Sequence, residues 1–151
     1  MAVKIAEKEK PKSNLVGCPT LSWVYGLYID GTLQYVGSSE NIEKRKQSHI
    51  SNLQSIKHSN KKLQRKYVES EHGEITFTEI LALPTSNSLI KFFAEMLVIS
   101  ALKSEICNAP HIQMGKMKMN FKACDRTLAI ELLKVIADYY GVELNLPQQK
   151  Y

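Results

Sequence analysis

Cysteine is scarce in this chain, and the three present, Cys18, Cys107 and Cys124, show none of the short paired spacings that a zinc site or a redox dithiol requires. They read as reduced, structural thiols. No stretch is long and apolar enough to span a bilayer, and the opening MAVKIAEKEK lacks the uninterrupted apolar core of a signal peptide. These absences predict an intracellular, cytoplasmic protein with no membrane partner. Internal repeats and low-complexity segments are also missing. One further absence is local: from Lys44 to Lys66 there is no acidic residue, while Lys44, Arg45, Lys46, Lys57, Lys61, Lys62, Arg65 and Lys66 all fall there. A formal net charge of +5 is therefore carried very unevenly, and the segment is either a solvated helical face or a surface for nucleic-acid phosphates.

At 151 residues, 44% apolar and 23% charged, the chain is long enough to bury a core without disulfides or structural metal. The composition up to about Val16 alternates Lys and Glu with little hydrophobicity, which predicts a flexible arm over residues 1–20. From Trp23 to Ile29 an apolar, aromatic run stops at Asp30-Gly31 and resumes at Leu33 to Gly37, a β-hairpin. A plain two-residue turn would pair Tyr25 with Val36 and send Tyr25 and Tyr35 to opposite faces. A three-residue loop with Gly31 as a bulge would set Tyr25 across from Tyr35, and this is the expected geometry.

Ser38-Ser39-Glu40-Asn41 supplies capping groups for a helix over about 42–53, with Ile42, Ile50 and Leu53 inward and Arg45 and His49 sharing a face. A second helix is predicted from Asn60 to about Ser70, then a third strand over Glu74 to Leu81. Pro84 to Asn87 caps LIKFFAEMLVISALK, a helix for the heart of the core. Asn108 to Lys122 shows no clean period and reads as an irregular excursion. Asp125 opens a last helix ending at Tyr140 and Gly141. The expected fold is α+β, a three-stranded antiparallel sheet flanked by helices, with a domain over 21–109 and a C-terminal extension over 110–151 whose helix packs on it.

An apolar strand pair needs no polar groups at Tyr25, Tyr35, Arg45 and His49, and together these four suit a phosphodiester. Hydrolysis needs an activated water, neutralisation of charge in the transition state and help for the leaving oxygen. Tyr25 is the candidate general base, although a phenol titrates near 10 and needs cations or a proton acceptor beside it; His49 could take its proton. Tyr35 would donate to phosphate or water, and Arg45 offers a planar, permanently charged pair of donors. The plainer uses are cross-strand packing for the tyrosines and a solvated helix surface for Arg45 and His49. Glu95 is the sharpest anomaly, a carboxylate amid Phe92, Phe93, Met96, Val98 and Ile99, where only a cation offsets the desolvation. That cation is a divalent metal or Lys91, one turn earlier on the same helix.

These residues together resemble the GIY-YIG nuclease family in its phage and intron-homing branch. Trp23-Val24-Tyr25 corresponds to the first signature element, with tryptophan in place of the usual glycine, and Tyr35-Val36-Gly37 to the second. SSENIEKRKQSHI looks like the family's helix with its arginine and histidine, HSNKKLQRKY like the segment after it, Glu95 stands at the metal-binding glutamate, and Asn108 at a following asparagine. The resemblance implies a DNA endonuclease using Mg2+ (or Mn2+), with Glu95 as metal ligand and a one-metal mechanism. Lys44, His58, Asn60, Lys61, Lys62, Arg65 and Asn108 would then contact nucleic acid. A lone active site nicks, so cutting both strands requires a homodimer or two successive visits. The alternatives are a binding module without turnover on the same fold, and a nuclease specific for branched or flap DNA.

Overall fold

The computed structural model describes residues 19–102, 106–108, 111–114, 117–120 and 125–147; the expected N-terminal arm lies almost wholly outside them. Among these residues nine elements follow in order: β1 (Ser22–Ile29), β2 (Thr32–Ser39), α1 (Ile42–Gln54), α2 (Lys61–Val68), β3 (Ile75–Leu83), α3 (Ser88–Leu102), β4 (His111–Met114), β5 (Met117–Asn120) and α4 (Arg126–Tyr140). β1 is the central strand of an antiparallel three-stranded sheet in the order β2-β1-β3. The expected α+β class, with its three-stranded antiparallel sheet and flanking helices, is what the chain adopts.

Alternation along β1 feeds two cores. Val24, with Val36, Ile80, Leu81 and Leu83, faces the apolar side of α3 and the α4 residues Ala129, Leu133 and Ala137. Leu27 and Ile29 face the other way, onto Leu53 of α1, Leu63 of α2 and Cys107. Each fully buried leucine here contributes about 1.5–3 kcal/mol of transfer free energy, so the sheet is held from both sides. The helix starts follow the sequence: the side chains of Asn41, Asn60 and Asp125 accept the backbone N–H groups of Lys44, Leu63 and Leu128, and Asn87 accepts those of Leu89 and Ile90. Beyond α4, Leu144 bridges to Leu81 and Asn145 N–H donates to the Ile80 carbonyl, so the chain end covers part of the outer edge of β3.

Two expectations are corrected. The hairpin turn is the two-residue one, with Asp30 and Gly31 both at positive φ (50° and 80°) and Ile29 paired with Thr32, the conformation whose twist suits flanking strands. The Asp30 carboxylate accepts the N–H groups of His72 and Glu74 at 2.9 and 2.8 Å, which holds a non-glycine residue in the left-handed region. The bulge lies further along, at Gln34: Tyr28 pairs with Leu33 but Leu27 with Tyr35. This extra residue shifts the register by one, so Tyr25 is opposite Gly37 and both tyrosines still face α1 and α2. The Gln34 carbonyl at the bulge accepts Cys107 N–H at 2.6 Å. The second correction concerns the irregular excursion, in which β4 and β5 form an antiparallel hairpin with His111 opposite Asn120. Four-residue strands two residues apart leave too short a window for a period of two to show.

Candidate functional site: two phenols, an arginine and a histidine pair

Gly37 is the position from which the site is built. A Cβ there would stand 2.5 Å from the Tyr25 hydroxyl oxygen, 2.7 Å from Cζ and 3.0 Å from Tyr35 Cε2. Only hydrogen fits, because the Tyr25 ring lies across β2 at that point. Gly37→Ala is expected to lower stability by about 1–3 kcal/mol and to misplace the Tyr25 hydroxyl, read as a shift in the urea midpoint together with a loss of the Tyr25 to His49 contact in NMR spectra.

Tyr25 has no exposed surface. Its hydroxyl lies 2.7 Å from His49 Nε2 and accepts from Arg45 Nε at 3.3 Å. One helical turn separates Arg45 from His49 on α1, as the sequence spacing requires. His49 is buried with 3% exposure, whereas Arg45 extends to solvent. Burial pushes the Tyr25 phenol well above its ordinary value, with the nearby Tyr35 adding to the rise and Arg45 opposing it. Burial likewise raises the half-buried Tyr35, with the Glu95 charge adding to the rise and the Arg45 charge opposing it, and its ring meets His49 edge-on at 5.4 Å. The guanidinium thus bonds the Tyr25 phenol and opposes the rise of both phenols while the side chain stays exposed.

Behind His49 stands His58, 5% exposed, its Nε2 at 2.8 Å from His49 Nδ1. His58 Nδ1 accepts Asn60 N–H at 3.0 Å, and the His58 N–H donates to Gln64 Oε1 while the Gln64 amide donates to the Leu53 carbonyl. Burial depresses both imidazoles, His49 to about 3, and the charge of Arg45 adds to it. Both rings are neutral at neutral pH.

Glu95 comes from α3, on the other side of the sheet, and reaches the edge strand β2. Ser38 hydroxyl donates to its Oε1 at 2.5 Å, and among the described residues Oε2 has no hydrogen-bond partner. Desolvation raises the Glu95 carboxyl, while the Ser38 bond and then the charges of Lys91 and Arg45 oppose the rise. Lys91 does not pair with Glu95 as the four-residue spacing allowed; its ammonium lies 3.1 Å from Glu40 and 4.8 Å from the centre of the Phe92 ring. Among the described residues no group of three or more His, Cys, Asp or Glu is arranged to hold a metal. A single, largely buried carboxylate with one oxygen left without a hydrogen-bond partner still fits magnesium, which keeps most of its waters and shares phosphate oxygens with its substrate. Glu95 is the residue that would hold such an ion, and it would supply Lewis-acid stabilisation of the phosphate charge.

The structure therefore gathers Tyr25, Tyr35, Arg45 and His49, and places Glu95 within reach of their charge rather than in contact. The residues expected on nucleic acid divide. Lys44, Lys61, Lys62 and Arg65 are exposed on α1 and α2. Three others are engaged inside the protein: His58 in the histidine pair, Asn60 as the cap of α2 with its amide on the Cys107 carbonyl at 2.8 Å, and Asn108, which exchanges two hydrogen bonds with the Val36 backbone. Asn108 acts there as a one-residue strand along β2. Ser38 and Gln64 were missed by sequence reasoning, and no local signal marks them, since the partner of Ser38 is 57 residues away and those of Gln64 are 6 and 11. No family model, curated protein or solved structure matches the chain. No helix among the described residues is long and apolar enough to cross a membrane.

Proposed function

We propose that the protein is a divalent-metal-dependent DNA endonuclease, cleaving phosphodiester bonds by hydrolysis. The observation that carries this reading is Arg45: a solvent-reaching guanidinium bonded to the Tyr25 phenol and near that of Tyr35, beside the exposed Lys44, Lys61, Lys62 and Arg65. Its Nε is held on Tyr25, which leaves the terminal nitrogens for two phosphate oxygens. Lys44, Lys61, Lys62 and Arg65 would carry the flanking backbone phosphates and give affinity without sequence.

In the proposed reaction the Tyr25 phenolate accepts a proton from water, the water oxygen bonds to phosphorus, and the opposite P–O bond breaks. The departing alkoxide takes a proton from solvent. Arg45 offsets charge on the pentacoordinate phosphorus, and Tyr35 donates a hydrogen bond to phosphate or to the water. Tyr25 is chosen over Tyr35 as base because both His49 and Arg45 lie on its oxygen. The buried Tyr25 oxygen requires a displacement of Arg45 toward the phosphate before water reaches it. That burial favours a second reading, a DNA-binding module without turnover.

Supercoiled plasmid incubated with the protein and Mg2+ separates the two. Nicking that is lost in Glu95→Ala and Arg45→Ala, and on chelation, supports the nuclease; retained DNA binding with no nicking supports the module. Branched and duplex oligonucleotides compared at the same salt then define the preferred substrate.

A further inference from the structure

The two histidines and Tyr25 form a chain of hydrogen bonds, and one end of it has a donor that cannot be reversed. The Asn60 backbone N–H has its hydrogen fixed and gives it to His58 Nδ1 at 3.0 Å. His58 Nδ1 is therefore unprotonated, and a neutral His58 carries its hydrogen on Nε2. That nitrogen lies 2.8 Å from His49 Nδ1, so it donates, and His49 Nδ1 must be the acceptor. A neutral His49 then carries its hydrogen on Nε2, which lies 2.7 Å from the Tyr25 oxygen. The ring planes agree: they lie within 11° of each other with centroids 5.1 Å apart, the arrangement of an in-plane N–H···N bond between neighbouring rings rather than of one ring stacked on another. The opposite polarity would place a hydrogen on His58 Nδ1 against the Asn60 N–H, two donors face to face in a buried space.

We propose that the Asn60 backbone amide sets the direction of the whole chain, so that His49 is a hydrogen-bond donor to the Tyr25 oxygen and His58 is the positioning residue that holds it in that tautomer. The Tyr25 oxygen then receives two donors, His49 Nε2–H and Arg45 Nε–H. It is a seat for a phenolate, and the phenolic hydrogen of the resting protein points along a third direction. His49 is consequently not the group that takes the Tyr25 proton, contrary to the expectation from sequence; its ring nitrogens are both committed. The protonic part of this proposal stands on geometry alone, while its bearing on catalysis rests on the nuclease reading above.

The direct measurement is long-range 15N–1H correlation of the histidine rings in the full chain at pH 7.5. Both His49 and His58 are expected as the Nε2–H tautomer, and a hydrogen on Nδ1 of either ring overturns the proposal. Two variants carry the test to function. In His58→Gln the side-chain carbonyl can accept the Asn60 N–H and the amide can donate to His49 Nδ1, so the His49 tautomer and a nicking rate close to that of the parent are expected. In His58→Leu, His49 loses its directing donor, mixes tautomers, and kcat is expected to fall about 10- to 100-fold with KM for DNA little changed. Equal losses in both variants, with the His49 tautomer unmoved, would show His58 to be packing only. If the parent does not nick, the nuclease reading fails on its own, and the ring tautomers still decide the proposal.

Discussion

Tyr25→Phe is expected to lower the rate of plasmid nicking by about 100- to 10,000-fold, the range of a lost general base, while leaving the fold intact. The phenylalanine ring keeps the edge-to-face contacts with His49 and Phe77, whose centroids lie 5.7 and 6.2 Å away, and still fits over Gly37. What is removed is the oxygen that receives His49 and Arg45, and leaving those donors unsatisfied costs about 1–3 kcal/mol of stability. The pH profile makes the test specific. Burial holds the Tyr25 phenol above its ordinary value, and only the anion can accept a proton from water. Below that pKa the anion grows tenfold per pH unit, so the parent rate should climb through the neutral and alkaline range. The residual rate of Tyr25→Phe should be flat over the same range. Tyr35→Phe should lose less and keep the slope, because the phenolate seat is intact. Parental nicking by Tyr25→Phe, or a slope that persists in it, removes Tyr25 from the mechanism.

Acid should destabilise the protein before its carboxylates are protonated. His49 is depressed by burial first, then by the charges of Arg45 and His58, from 6.5 to about 3, and His58 is depressed by burial, Arg45 and Lys61. Because the folded state binds these protons less well than the unfolded chain, stability is complete above about pH 6.5 and declines as pH falls toward the folded values. Each imidazole contributes a slope of about 1.4 kcal/mol per pH unit below its unfolded pKa, so His49 alone costs about 2 kcal/mol at pH 5 and about 5 kcal/mol only as pH nears its folded value. That is comparable with the whole stability of many domains. Urea unfolding at pH 7, 6 and 5 should show the loss, and His49→Gln combined with His58→Gln should flatten the curve over that interval. A parent whose stability is constant from pH 7 to 5 would mean that the pair is not buried in neutral form. The same protonation would break the direction of the histidine chain, since a charged His58 would turn a hydrogen toward the Asn60 amide.

Local signals carried most of the element boundaries. Asn41, Asn60, Asn87 and Asp125 each begin a helix because a short side-chain oxygen satisfies an N–H that the first turn leaves without a partner. The arginine and histidine on α1 meet one hydroxyl because a four-residue spacing is one turn. The hairpin was legible in position but not in register. Asp30-Gly31 holds the tight turn that its residue types favour, yet the extra residue at Gln34 is stabilised by Cys107, 73 residues onward in the chain, and no window around Gln34 contains that information. Lys91 and Glu95 show the same limit in the other direction: the four-residue spacing permits their pairing, but Glu40, brought close by the fold, takes the lysine, and Ser38 takes the glutamate.

The sequence by itself determined that four groups able to handle phosphate would lie on a hairpin and the helix after it, because strand alternation and helical periodicity are properties of neighbouring residues. Tertiary structure alone decided that Tyr25 is sealed beneath Arg45, that His58 and Asn60 turn inward to direct His49 rather than outward to a ligand, and that Asn108 completes the edge of β2. Each of these depends on which distant backbone group arrives beside a side chain. A buried donor or acceptor is satisfied by whatever the fold brings within 3 Å, and a residue's own neighbours in sequence do not specify that partner.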